Sequence, residues 1–151
     1  LDSAALDLKD LYRDVIVDHN RKPRNFGPMV APDAHADGHN PLCGDRISVY
    51  LDIEDGVIRD IAFQGAGCAI SSASASLMTE ALKGKPVDEV EHLFEAFHNV
   101  VTSECECPRG LGKLSVLAGV RDYPSRVKCA TLAWHAVRAA LEKRKEPVAT
   151  E

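Results

Sequence analysis

The stretch that decides the fold is residues 47–63, which read ISVYLDIEDGVIRDIAF. Apolar and polar side chains alternate through its first half, which is the pattern of a strand with one buried face. Asp55-Gly56 predicts a tight hairpin turn, because glycine adopts positive φ without steric cost. Apolar residues resume after the turn, so the second half predicts the returning strand of an antiparallel pair.

Helical patterns lie on both sides of this hairpin, with apolar residues at helical spacing. The predicted helices cover residues 6–19, 70–83, 114–120 and two stretches that start at Pro86 and Pro124. Residues 28–44 carry three prolines, which favours a loop with room for one short strand. This order predicts an α+β fold, in which a small antiparallel sheet of about three strands packs against several helices in a single domain, 1–151.

The composition narrows the functional classes. A net charge of −5 disfavours nucleic acid as a partner, and no apolar run has the roughly 18 residues of a membrane helix. No secretory signal is visible, so we expect a cytoplasmic protein without a membrane partner. The five cysteines are an odd and widely spaced set, which favours metal binding, catalysis or burial over a disulfide framework.

Three of these cysteines and one carboxylate form a candidate metal site. Cys43 and Asp45 point the same way if the chain is extended there, with Gly44 between them. Cys68 stands at the entry to a predicted helix, where backbone N–H groups favour a thiolate. Cys129 falls in the first turns of the last helix.

The chemistry of this set points to zinc or an iron–sulfur centre, because thiolates prefer those metals to calcium or magnesium. A carboxylate in place of a fourth thiolate makes the site less closed than a structural zinc knot. The spacing matches no zinc-finger rule, so the alternative is that the cysteines are buried as small hydrophobic residues.

Several motifs carry a resemblance that spans nearly the whole chain. They are LYR at 11–13, DH at 18–19, RNFG at 24–27, NPLCGD at 40–45, GCAIS at 67–71 and VKCATLAW at 127–134. In these motifs the chain resembles the IscU/NifU-N scaffold family of iron–sulfur cluster assembly, and most closely its SufU branch. The resemblance implies the same α+β fold.

The resemblance also implies roles for individual residues. Cys43, Asp45, Cys68 and Cys129 match the family's metal ligands, and Cys43 matches the cysteine that accepts persulfide sulfur in the SufU branch. Asp45 would tune the release of a thiolate from the metal. Arg126 would pair with Asp45 or with the displaced thiolate, and a solvated arginine is the alternative.

The implied function is that of a zinc-dependent sulfurtransferase, which serves a SufS-type cysteine desulfurase and, downstream, a cluster-assembly complex. Lys128 stands where the IscU branch has a histidine, which favours this function. The alternatives are a scaffold that assembles and transfers a [2Fe–2S] cluster, and a structural zinc domain without transfer chemistry.

Other polar residues receive simpler interpretations. His19 is expected to cap the first helix, His35 and His39 to lie on a surface loop, and His98 and His135 to lie on helix faces. Cys105-x-Cys107 is expected to decorate a variable loop. The serines between residues 71 and 76 are expected to allow close helix packing, and Trp134 to lie in the core.

Overall fold

A computed structural model describes residues 13–41, 44–102, 112–120, 123–142 and 148–149. Its elements, in chain order, are helix α1 (residues 13–21), strands β1 (Ala34–Asn40), β2 (Asp45–Glu54) and β3 (Val57–Ala66), helices α2 (Ala69–Leu82) and α3 (Val87–Thr102), a 3₁₀ helix (Gly112–Val120), helix α4 (Pro124–Leu141) and strand β4 (Val148–Ala149). The predicted helix over 6–19 therefore extends to residue 21, and its first seven residues lie outside the described part of the chain.

The sheet has the order β3-β2-β1-β4. β1, β2 and β3 are antiparallel, as predicted, and the two-residue β4 pairs with β1 in parallel. Asp55 and Gly56 form the turn between β2 and β3 with φ of 53° and 74°, the two positive values of the tightest hairpin turns. The α+β prediction is confirmed.

Strand β1 is the main departure from the predicted loop over 28–44, because it runs for seven residues and lies between two other strands. Its inward residues are Ala36, Gly38 and Asn40, so the strand lacks the aliphatic alternation that marks β2. A Cβ at Gly38 would lie 3.1 Å from Leu132 Cδ1. The small inner face thus lets helix α4 lie close to the sheet.

The core lies between the inner face of the sheet and the helices. α4 packs against β1, β2 and α2, and α3 packs against α4 and the 3₁₀ helix. Trp134 is fully buried there, and its ring stacks 4.9 Å from that of Phe97. The predicted core position of Trp134 is confirmed. None of the described helices is both long enough and apolar enough to cross a membrane.

A polar contact joins the first helix and the segment after it to α2. His19 is fully buried, and its Nδ1 lies 2.7 Å from Ser76 Oγ. The Ser76 oxygen also accepts the Arg24 N–H at 2.8 Å, so its own hydroxyl can donate to the histidine. The expectation that His19 caps a helix end is therefore wrong, because its ring turns inward to a partner far along the chain.

Replacing Ser76 by alanine tests this contact. The substitution leaves the Arg24 N–H and the buried His19 ring without this partner, so we expect Ser76→Ala to lower the free energy of unfolding by about 2 kcal/mol. Urea unfolding followed by circular dichroism measures the change. Ser72→Ala, on the half-buried side of the same helix, is the control; equal losses in both variants would contradict the assignment.

Candidate metal centre

Three of the four predicted ligands meet at one end of the sheet. Ligand atoms of Asp45, Cys68 and Cys129 all lie within 4.8 Å of one another. Asp45 is the first residue of β2, Cys68 caps the N-terminus of α2, and Cys129 lies in the second turn of α4. Three separate elements therefore build the centre, and none of the three residues is a chain neighbour of another.

Asp45 is fully buried and directs its carboxylate at the start of α2. Oδ1 accepts the Cys68 N–H at 2.7 Å, and Oδ2 lies 3.6 Å from Cys68 Sγ. A Cβ at Gly67 would lie 2.7 Å from Oδ1, which is closer than any real Cβ contact. Glycine at 67 is therefore needed for the carboxylate to approach this helix end.

The Cys68 sulfur lies where the sequence predicts it, at a helix N-terminus. It accepts the Ser71 N–H at 3.4 Å, and the side chain is half-buried. The N–H donor and the positive end of the helix both favour negative charge on this sulfur. Cys68 can thus serve as a thiolate ligand while remaining accessible from one side.

The Cys129 sulfur is more deeply enclosed. The residue is 3% exposed, and its Sγ lies 3.7 Å from Asn40 Nδ2. Asn40 was missed as a functional residue in the sequence, where it appears only as part of a motif. The available signal was its place at the start of NPLCGD, beside two predicted ligands.

Cys43 lies outside the described residues, and so do Cys105 and Cys107. The residues that flank it are informative, because Asn40 pairs directly with Asp45 across β1 and β2. Gly44 N–H donates to the Asn40 carbonyl at 2.8 Å, with Gly44 at φ 75°. The β1–β2 connection that carries Cys43 therefore begins at Asn40, which contacts Cys129, and ends at the ligand Asp45.

Arg126 is exposed in the first turn of α4, with its guanidinium carbon 4.4 Å from the centre of the Tyr123 ring. The Asp45 carboxylate instead faces Cys68. Among the described contacts, an ion pair between Arg126 and Asp45 is absent. Its predicted role stays a prediction.

None of the described histidines belongs to the group of three ligands that meet. His35 and His39 belong to β1, so the surface-loop expectation is wrong for both. His35 stacks on Tyr50 at 5.8 Å on the outer face of the sheet, the face away from α2 and α4. His98 and His135 lie on α3 and α4, as predicted.

Residues 11–130 match the family described as the NifU-like N terminal domain. The chain belongs to this family. The matched range contains every predicted site residue, together with Asn40, which contacts Cys129.

Similar proteins carry two kinds of name. The chain is 39% identical over 137 residues to the zinc-dependent sulfurtransferase SufU of Bacillus subtilis. The alignment covers 90% of this chain and 92% of that protein. It is 40% identical over 137 residues to the iron–sulfur cluster assembly scaffold protein IscU of Streptococcus pyogenes, with 90% and 86% covered. The chain therefore belongs to the family of SufU and IscU proteins. The names of these two relatives differ, because one is a sulfurtransferase and the other a scaffold protein.

A solved structure supports the fold. The crystal structure of FiSufU, a SUF-system protein from Fervidobacterium islandicum, superposes with a TM-score of 0.80 at 31% identity. The superposition covers 87% of this chain and 96% of that one. The arrangement of sheet and helices is therefore that of its family.

The contact between Gly67 and Asp45 gives a test of the centre. Gly67→Ala places a methyl group against Asp45 Oδ1, so we expect the carboxylate to move and zinc affinity to fall about tenfold. Competition with a chromophoric chelator measures the affinity. Ala66→Ser adds one atom at the exposed neighbouring position and is the control; unchanged zinc affinity in Gly67→Ala would show that the carboxylate does not contribute.

Proposed function

We propose that the protein is a zinc-dependent sulfur acceptor for iron–sulfur cluster assembly, which takes sulfur from the persulfide of a SufS-type cysteine desulfurase. The observation that carries this proposal is the meeting of the buried Asp45 carboxylate with the Cys68 and Cys129 sulfurs. The similarity to SufU of Bacillus subtilis supports it. The sulfur would pass on to a cluster-assembly complex in the cytoplasm.

The donor set fits zinc. Two sulfurs and one carboxylate lie within reach of one ion, and Cys43 would complete four ligands, the usual number for this metal. Cys43, Asp45, Cys68 and Cys129 would hold the ion. When bound, zinc supplies the positive charge that keeps thiols deprotonated near neutral pH.

The three cysteines would have different roles in the transfer. Cys68 caps α2 and Cys129 lies in α4, and each sulfur receives an N–H hydrogen bond, which suits them to remain ligands. Cys43 belongs to the short connection between β1 and β2, and we assign it the role of nucleophile. Its neighbours Asn40 and Asp45 hold both ends of that connection beside the other ligands.

The transfer step is a thiol–disulfide type of exchange. The Cys43 thiolate attacks the outer sulfur of the donor persulfide and forms a new S–S bond. The S–S bond of the donor breaks, and its electron pair leaves with the donor cysteine as a thiolate. Cys43 then carries the persulfide, and no external oxidant or reductant takes part.

Asp45 and Arg126 would assist this step. Asp45 holds its place through the Cys68 N–H, so the carboxylate stays in the centre while Cys43 reacts. Arg126 lies three residues before Cys129 on α4, a spacing that puts both on one side of the helix. With the desulfurase docked, its guanidinium would pair with Asp45 or with a displaced thiolate.

A second candidate function is the assembly and transfer of a [2Fe–2S] cluster. The Cys68 and Cys129 sulfurs meet at the centre, and Cys43 would add a third thiolate, which favours a cluster. The Streptococcus relative also carries a scaffold name. Lys128 precedes Cys129, where the IscU branch has a histidine. A protonated lysine has no lone pair to bind a metal, which favours sulfur transfer over the cluster scaffold. Visible absorption of protein reconstituted with iron and sulfide separates the two functions, because zinc is colourless.

Desulfurase turnover tests the proposed function directly. We expect the zinc-loaded protein to raise the turnover rate of the cognate desulfurase. Cys43→Ala should leave that rate at the value of the desulfurase without added protein, because the acceptor sulfur is gone. Cys105→Ala is the matched control and should stimulate like the unsubstituted protein. Full stimulation by Cys43→Ala would exclude Cys43 as the acceptor, and no stimulation by either protein would exclude sulfur transfer.

The role of Arg126 has its own test. Arg126→Ala should bind zinc as the unsubstituted protein does, because the guanidinium lies over Tyr123, but it should stimulate the desulfurase less. Zinc content and turnover are measured on the same preparation. Arg138→Ala is the control, since Arg138 lies farther along α4 and pairs with Glu91 of α3. Equal turnover in both variants would assign Arg126 to the solvated surface.

A further inference from the structure

Asn40 is a buried polar residue whose side chain points at the metal centre. It ends strand β1 and is 1% exposed. Its Nδ2 lies 3.7 Å from Cys129 Sγ, within the range of an N–H hydrogen bond to sulfur. A buried amide is costly unless its N–H groups find acceptors, so a contact with sulfur is a strong constraint on both side chains.

The fold around this amide brings it to Cys129. Gly38 lies two residues before Asn40 on the same inner face of β1, and a Cβ there would lie 3.1 Å from Leu132 Cδ1 and 3.5 Å from Ala136 Cβ. The absence of that Cβ lets α4 approach β1 closely. Cys129 lies one turn before Leu132, so the same close approach puts its sulfur against the end of β1.

The backbone of Asn40 ties the amide to the rest of the centre. Its carbonyl accepts the Gly44 N–H at 2.8 Å, and the residue pairs with Asp45 across the two strands. One residue thus holds the Cys129 sulfur by its side chain and the connection that carries Cys43 by its main chain.

Hydrogen bonds to a thiolate withdraw electron density from sulfur, which weakens it as a nucleophile and favours its charged form. The Cys68 sulfur has such a donor in the Ser71 N–H. We propose that Asn40 is a positioning residue of the metal centre, whose amide keeps the Cys129 sulfur as a ligand that stays bound while Cys43 reacts. This inference rests on the proposed function.

The experiment uses the full chain loaded with Zn²⁺ or Co²⁺. Asn40→Ala removes the donor, and Asn40→Leu removes it while keeping the number and branching of the side-chain heavy atoms, which covers the case that the alanine variant fails to fold. We expect zinc affinity to fall about tenfold in both variants. We also expect the thiolate-to-cobalt charge-transfer band to move to lower energy, because the sulfur lone pairs lose a stabilising donor.

The matched control is Gln64→Ala, which removes an amide that bonds Tyr50 on the outer face of the sheet. It should leave both the cobalt band and zinc affinity unchanged. An unchanged band in both Asn40 variants would overturn the inference even if zinc affinity fell, because Asn40 would then act on stability alone. Absence of zinc binding by the unsubstituted protein would instead overturn the proposed function, and this inference with it.

Discussion

The hydrogen bond from the Cys68 N–H to the Asp45 carboxylate is the contact on which the metal centre depends. A carboxylate removed from water is costly unless donors or a cation satisfy it. Here the first turn of α2 supplies the donor, and Gly67 supplies the space. This contact joins the start of β2 to the start of α2, and it places the Cys68 sulfur beside the carboxylate.

The inner face of the sheet changes character along its length. Its middle presents the fully buried aliphatic residues Leu51 and Ile61, which pack under the helices as an ordinary core. Its end presents Asn40 and Asp45, which are equally buried but polar. Because polar groups without partners are unstable in such a place, the helices that cover this end carry sulfur and N–H groups there. The hydrophobic core and the metal centre therefore lie on the same inner face of the sheet, the core at its middle and the centre at its end.

The first described helix contributes to the same arrangement from a distance. His19 and Arg24 both bond Ser76, which lies on the helix that Cys68 caps. These directional bonds add to the apolar packing of Val15 and Ile16, which also lie in the core. His19 and Arg24, from the motifs DH and RNFG, thus support the position of α2.

Local patterns in the sequence determined the hairpin, the main helices and the types of ligand, because alternation, helical spacing and turn residues act between near neighbours. They understated β1, whose inward Gly38 and Asn40 carry no aliphatic signal. They also predicted His19 as a helix cap, because nothing near it in the chain shows its partner. The tertiary structure alone decided that Asp45, Cys68 and Cys129 meet. Their meeting requires α2 and α4 to pack on one end of the sheet, and that packing depends on contacts between residues far apart in the chain.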